Sequence, residues 1–275
     1  MKAVTLALTF LLPVCPVRAQ QYHLRDGSFL NASDVTVRGV SLVEAVDVIG
    51  AESAVERSYP ISDVVRLDWP EPAAIEAARS ALAEGEGQEA VVALEPVRAE
   101  FVLFAKLPGS WWTAASLLRL RGLMLAGAAD EAEAAARELI ATAIDPEAVG
   151  LARLALAELA LAADQGEIAA AMVDAILREE VPSGVIARSW LLRGERALQQ
   201  GNAEVALEAF LRIPVLHAGW RELLAPALDG SRRAYLLWGD AARAERAAEE
   251  LRRAFPESPE AARLHANFTA PPPSS

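Results

Sequence analysis

Residues 190–210 read WLLRGERALQQGNAEVALEAF. An amphipathic run closes at Gly201, and a second amphipathic run follows it. The glycine suits the left-handed conformation that ends a helix. Ala206, five residues on, falls where the second helix crosses the first, and a larger side chain there would push the pair apart. The stretch therefore predicts a helical hairpin.

The same pattern recurs on both sides. Glycines at 85, 127, 166, 201 and 239 each follow an amphipathic stretch, at spacings of 42, 39, 35 and 38 residues. Five residues after each stands an alanine: Ala90, Ala132, Ala171, Ala206 and Ala244. Self-similarity at 20–50 residues is the signature of stacked repeats. About five hairpins are expected over 70–264.

Trp190, Gly194, Gly201, Ala206 and Phe210 stand at intervals that resemble the tetratricopeptide repeat (TPR) family, as do Tyr235, Gly239, Ala244 and Pro256 in the next unit. The three earlier units keep glycine and alanine but lose most aromatic positions and exceed the family's 34-residue length. The resemblance covers about residues 72–264. It implies a mainly α protein, a right-handed α-solenoid of TPR-like hairpins. Another α-solenoid or an irregular helical bundle would leave a similar pattern.

N-terminal to the hairpins the texture changes. Residues 20–69 alternate polar and apolar positions, with Asp26-Gly27 as a hairpin turn and further short runs at Val35–Arg38, Val40–Ile49, Tyr59–Ile61 and Val65–Trp69. About five short strands are expected, as a small β-barrel or sheet module with a faint resemblance to SH3-like and Sm-like barrels. Pro70-Glu71-Pro72 separates this module from the helices. Pro271-Pro272-Pro273-Ser274-Ser275 reads as the end of a disordered tail over 265–275.

Residues 1–19 read as a signal peptide. Lys2 precedes an apolar stretch from Ala3 to Cys15, and Val17-Arg18-Ala19 places small residues at a cleavage site before Gln20. The stretch is too short to span a bilayer comfortably. Lipidation of Cys15 is the alternative, so membrane attachment is expected only if the chain is lipidated or uncleaved. Cleavage would remove the single cysteine and, with Lys2 and Arg18, move the formal charge from −12 to −14. The expected location is the periplasm or cell envelope of a bacterium.

Composition narrows the chemistry. Thirty-eight acidic against 26 basic residues argue against nucleic acid. The three histidines, His23, His217 and His265, share no helical face at metal spacing, so neither a metal nor another cofactor is expected. No phosphate loop or nucleophile elbow is present. The chain is read as no enzyme, without a small-molecule substrate, and as a scaffold for a protein partner.

In TPR proteins the first helix of each hairpin lines a concave groove that binds peptides. That resemblance places Arg121, Arg153, Arg188 and Arg233 on the groove as a basic strip for carboxylates. Of the adjacent Trp111 and Trp112, one is expected in the core and the other partly exposed as an anchor. Trp190 and Trp238 are expected in the core. An alternative function, cell-wall or polysaccharide binding, would use an aromatic strip of Tyr22, Phe29, Tyr59 and Trp69 on the β module.

Overall fold

A computed structural model describes residues 20–46 and 54–269, with side chains through Leu264. The signal-peptide reading, Cys15, the end of the Val40–Ile49 run and residues 270–275 lie outside the described residues. The chain divides into two compact units: one holds the β module and residues 101–111, the other residues 73–100 and everything from Trp112 onward.

The described residues of the first unit form six strands: β1 (Gln21–Leu24), β2 (Phe29–Asn31), β3 (Val35–Arg38), β4 (Ser41–Val46), β5 (Val55–Pro60) and β6 (Val64–Asp68). They form two antiparallel three-stranded sheets, ordered β2-β1-β6 and β3-β4-β5. The chain passes between sheets through two short 3-10 turns, Ala32–Asp34 and Ile61–Asp63. Asp26-Gly27 makes the expected hairpin, with Gly27 at φ 88° and Asp26 Oδ1 accepting from the Ser28 amide.

β5 was not anticipated as a full strand. It lies at the edge of its sheet and is exposed along nearly all its length, so it shows no apolar alternation. Ile61, expected to restart a strand, lies in the second 3-10 turn instead.

The β module is also not closed by residues 20–69 alone. Residues 101–111 complete it, bringing Phe101 and Phe104 into its core. Tyr22 packs against Trp69 at 4.8 Å between ring centroids and against Phe104 at 5.4 Å, while Trp69 meets Phe101 edge-on at 5.9 Å. The Leu67 amide donates to the Pro108 carbonyl at 2.9 Å. Gly109 (φ 80°) lies so close to β6 that a Cβ there would stand 2.0 Å from the Leu67 oxygen.

The second unit is a stack of five helical hairpins: α1 (Ala73–Glu84) with α2 (Gly87–Phe101), α3 (Trp112–Leu125) with α4 (Ala129–Thr142), α5 (Pro146–Ala162) with α6 (Gly166–Arg178), α7 (Ser183–Gln199) with α8 (Ala203–Leu216), and α9 (Leu224–Trp238) with α10 (Ala241–Ala254). A further helix, α11 (Pro259–Thr269), packs on α9 and α10. It occupies positions 265–269, where the sequence reading began a tail. First helices of successive hairpins touch one another, α1 with α3, α3 with α5, α5 with α7 and α7 with α9. That is the packing of an α-solenoid, in which each unit covers its neighbour's apolar side.

All five turns are built alike. After each first helix one residue takes positive φ: Gly85, Gly127, Asp164, Gly201 and Gly239. The next amide donates back to a carbonyl five residues earlier, from Glu86, Ala128, Gln165, Asn202 and Asp240 to Ala81, Leu123, Ala160, Ala197 and Tyr235, all at 2.8–2.9 Å. This is the Schellman closure. Five residues after each left-handed residue sits a buried alanine: Ala90, Ala132, Ala169, Ala206 and Ala244.

The third turn therefore corrects the sequence reading. Its left-handed residue is Asp164 (φ 60°), whereas Gly166 is the first residue of α6. Ala169 is 1% exposed and is the crossing residue, while Ala171 is exposed. Aspartate tolerates the left-handed region better than other non-glycine residues, so the turn survives without its glycine. The corrected spacings, between residues 85, 127, 164, 201 and 239, are 42, 37, 37 and 38.

Phe210 anchors the last two hairpins. It is fully buried, and Cβ atoms built on Gly194 and Gly230 would lie 2.6 and 2.5 Å from its ring. Two glycines on two first helices thus make room for one phenylalanine. Gly194 was legible in the repeat pattern, but Gly230 was not.

Candidate partner-binding face

On a first helix, positions 6, 10 and 13 residues before the left-handed turn residue share one face, since they follow helical spacing. In α7 these are Glu195, Leu191 and Arg188; in α5, Glu158, Leu154 and Leu151; in α3, Arg121, Leu117 and Ala114; in α9, Arg233, Asp229 and Pro226. Three of the four expected arginines, Arg121, Arg188 and Arg233, lie on this face. Arg153 does not. It sits one residue off the shared register and turns to Glu179 at the end of α6, with two hydrogen bonds of 2.6 and 2.9 Å.

The face is not a basic strip. Arg233 is held by Glu195, and its Nε lies 3.2 Å from Asp229 Oδ2. Asp229 is buried and also accepts from Arg232 at 2.8 and 2.9 Å. Arg188 pairs with Glu222 at 3.0 Å, donates to the Gly184 carbonyl and stacks over Trp220 at 5.5 Å. Carboxylates of the same stack thus answer Arg188 and Arg233, because guanidinium groups brought side by side need counter-charges in a partly shielded setting.

Glu158 is the other informative member. The residue as a whole is exposed, yet crowding of its carboxyl by the surrounding protein raises it above the ordinary range. The charges of Arg188 and Arg121, on the neighbouring first helices, both pull it back down. The face carries both signs: Arg121, Glu158, Glu195 and Arg233 at the position six before the turn, with Arg188 and Asp229 beside them. At its α11 end it widens into a charged cleft of about 510 Å³ lined by Glu195, Asp229, Arg232, Arg233, Glu260 and Arg263.

Of the adjacent tryptophans, one is in the core and the other partly exposed, as expected. Trp112 is 1% exposed, with the Arg98 guanidinium 5.8 Å from its ring centroid. Trp111 is half-buried in the first unit and donates its Nε1–H to the Trp69 carbonyl at 3.3 Å. Neither is a free anchor on the helical face. Trp238, expected in the core, is instead 57% exposed at the end of α9. The turn follows it directly, so no later residue of α9 covers the ring. Trp190 is half-buried, as part of a core cluster with Ile213 and Leu223.

The aromatic strip expected on the β module is not an outer surface. Tyr22 is buried, and Trp69 is turned to the same core. Only Phe29 of the four is well exposed. Among the described residues no group of three or more His, Cys, Asp and Glu is placed to hold a metal ion, and no helix is long and apolar enough to cross a membrane.

No family model and no curated protein sequence matches the chain. Two crystal structures of a putative kinesin light chain from Podospora anserina with nearly identical TPR-like repeats are structural neighbours. One, of a substituted form, is 21% identical, with a TM-score of 0.46 over 66% of this chain and 92% of the other. The second is 19% identical, with a TM-score of 0.45 over 72% of this chain and 96% of the other. TPR-like repeat proteins thus stand among the structural neighbours of this chain, whose own repeat architecture rests on five closures of identical hydrogen bonding.

Proposed function

We propose that the protein is a non-catalytic interaction scaffold of the bacterial cell envelope. It holds an extended protein segment against the face formed by α3, α5, α7 and α9. The observation that carries this reading is the mixed-charge face from Arg121 to Arg233, with Arg233 paired to Glu195 and Glu158 in the field of Arg121 and Arg188. Such a face favours recognition of a peptide of mixed charge, since each ionic contact is selective only when its counterpart falls in register. A purely acidic segment meets Glu158 and Glu195 and is disfavoured.

Site-specific photo-crosslinking in the native host tests the binding half of the proposal. A photoreactive residue at Glu158 or Leu191 should capture the same partner, and one at Glu249, exposed on α10, should not. Capture from Glu249 alone sinks the assignment of the face. Export is tested separately by fractionation and by the mass of the mature chain, which should begin at Gln20. A full-length chain confined to the cytoplasm removes the envelope from the proposal.

A further inference from the structure

The charged cleft at the α11 end of the partner face uses its side chains unequally. Three arginines and three carboxylates line it, so their formal charges cancel. Arg233 is spent: its two terminal nitrogens donate to Glu195, and its Nε lies 3.2 Å from Asp229. Asp229 is buried and takes Arg232 as well, through Nε and one terminal nitrogen. Glu195, Asp229, Arg232 and Arg233 thus form a closed set of two carboxylates and two guanidinium groups.

Glu260 stands outside that set. Its side chain is only 14% exposed, yet among the described residues its one hydrogen bond comes from Arg263, to Oε1 at 3.2 Å. Arg263 is 66% exposed and lies three residues along the same helix, so water weakens the pair. Oε2 has no donor among the described residues. A carboxylate this shielded keeps much of its desolvation cost unless a further donor reaches it.

The rest of the cleft indicates which donor fits. Pro226 and Leu264 line it beside the charged groups. Apolar walls of this kind cover a methylene stem while its charged tip stays paired. One oxygen left over suits a compact ammonium. A guanidinium fork is best matched by two acceptors, and Arg263 already holds the other oxygen. The space of about 510 Å³ admits a whole side chain.

We infer that the cleft receives a lysine side chain, with its ammonium on Glu260 Oε2 and its stem along Pro226 and Leu264. The lysine belongs to the segment held on the partner face, so its source rests on the proposed function; the selectivity of the cleft does not. α11 packs on the last hairpin, so the site stands at one end of the face. A lysine held there fixes the register in which the rest of the segment meets Arg233, Glu195 and Glu158.

NMR titration of the full chain, methyl-labelled at leucine, with Nα-acetyl-lysine methylamide tests the site. The Leu264 methyls should shift with a Kd on the order of 1–10 mM, as one charge-assisted contact and a short stem allow. The norleucine, arginine and glutamate analogues should bind at least about fivefold more weakly. Glu260→Gln should weaken lysine binding about fivefold, and Arg263→Ala, which frees Oε1, should strengthen it about twofold, both with unchanged helical circular dichroism. The Arg263 variant carries the test should Glu260→Gln alter the fold. Equal binding of norleucine overturns the inference by making the cleft merely apolar. Preference for the glutamate analogue overturns it in favour of Arg232, which keeps one terminal nitrogen without a partner among the described residues. Lysine binding that neither variant changes overturns it by placing the ammonium elsewhere. None of these results alters the crosslinking expected from Glu158 and Leu191. Failed crosslinking beside intact lysine selectivity removes the partner segment and keeps the site.

Discussion

The helical stack and the β module reach their cores by opposite routes. Each hairpin of the stack closes locally: its turn is fixed by a bond spanning five residues, and its crossing alanine lies five residues further on. The β module closes only when residues 101–111 return, more than 30 residues after β6, to place Phe101 and Phe104 beside Tyr22 and Trp69. Local closure repeats and is visible as a period in the sequence. Long-range closure leaves no period, only aromatic residues in a loop.

The largest expected effects test this contrast directly. Phe210→Ala and Phe101→Ala each remove a fully buried ring and should cost about 3–5 kcal/mol. Their reach should differ. Phe210 is held between Gly194 and Gly230 on adjacent hairpins, so its loss should lower amide-exchange protection from α7 to α10. Loss of Phe101 should release protection mainly in β1 and β6. Equal loss across both units after either change would show that the two units unfold as one.

A somewhat smaller effect is expected from filling the space beside Phe210. Gly194→Ala places a Cβ 2.6 Å from the ring and should cost about 1–3 kcal/mol, read from denaturant midpoints. Recovery of stability in Gly194→Ala combined with Phe210→Leu would sharpen the assignment of the strain to that ring.

The turns predict effects of opposite sign. Gly201→Ala puts a Cβ on a residue at φ 72° and should destabilise by about 1–2 kcal/mol. Asp164→Gly restores the residue that the other four turns use and should stabilise by about 0.5–1 kcal/mol. Thermal midpoints of the two variants moving in the same direction would break the equivalence of the turns.

The smallest effect concerns Glu158. Its raised carboxyl means that the folded state holds a proton more tightly than the unfolded chain does. Stability contributed by this group therefore falls as pH rises from the ordinary glutamate range through its folded value. At neutral pH the charge is a cost, which Arg121 and Arg188 partly offset. Glu158→Gln should stabilise by about 0.5 kcal/mol or less at pH 7, and the gain should vanish toward pH 4. A stability loss at pH 7 would mean that the arginines need this carboxylate.

Much of the architecture was legible in the residues. The hairpins followed from glycine and alanine in phase, and the Asp26-Gly27 turn from its dipeptide, because both depend on backbone conformation within a few residues. The third turn was misplaced by two positions because aspartate, not glycine, takes the left-handed residue there and a glycine happens to follow. The candidate face was less legible: the family resemblance placed Arg121, Arg153, Arg188 and Arg233 together, but Arg153 leaves the shared register, and the carboxylates Glu195 and Glu222 that answer Arg233 and Arg188 come from other segments.

The sequence by itself thus determined the hairpin repeat, its turns and the change to strands before Pro70, since each is written in local backbone preference and apolar period. Only the tertiary structure decided that residues 101–111 complete the β core and that Arg153 leaves the shared face. It alone exposed Trp238 while burying Trp112. Those outcomes depend on which side chains distant segments bring together, and neither residue type nor spacing carries that information.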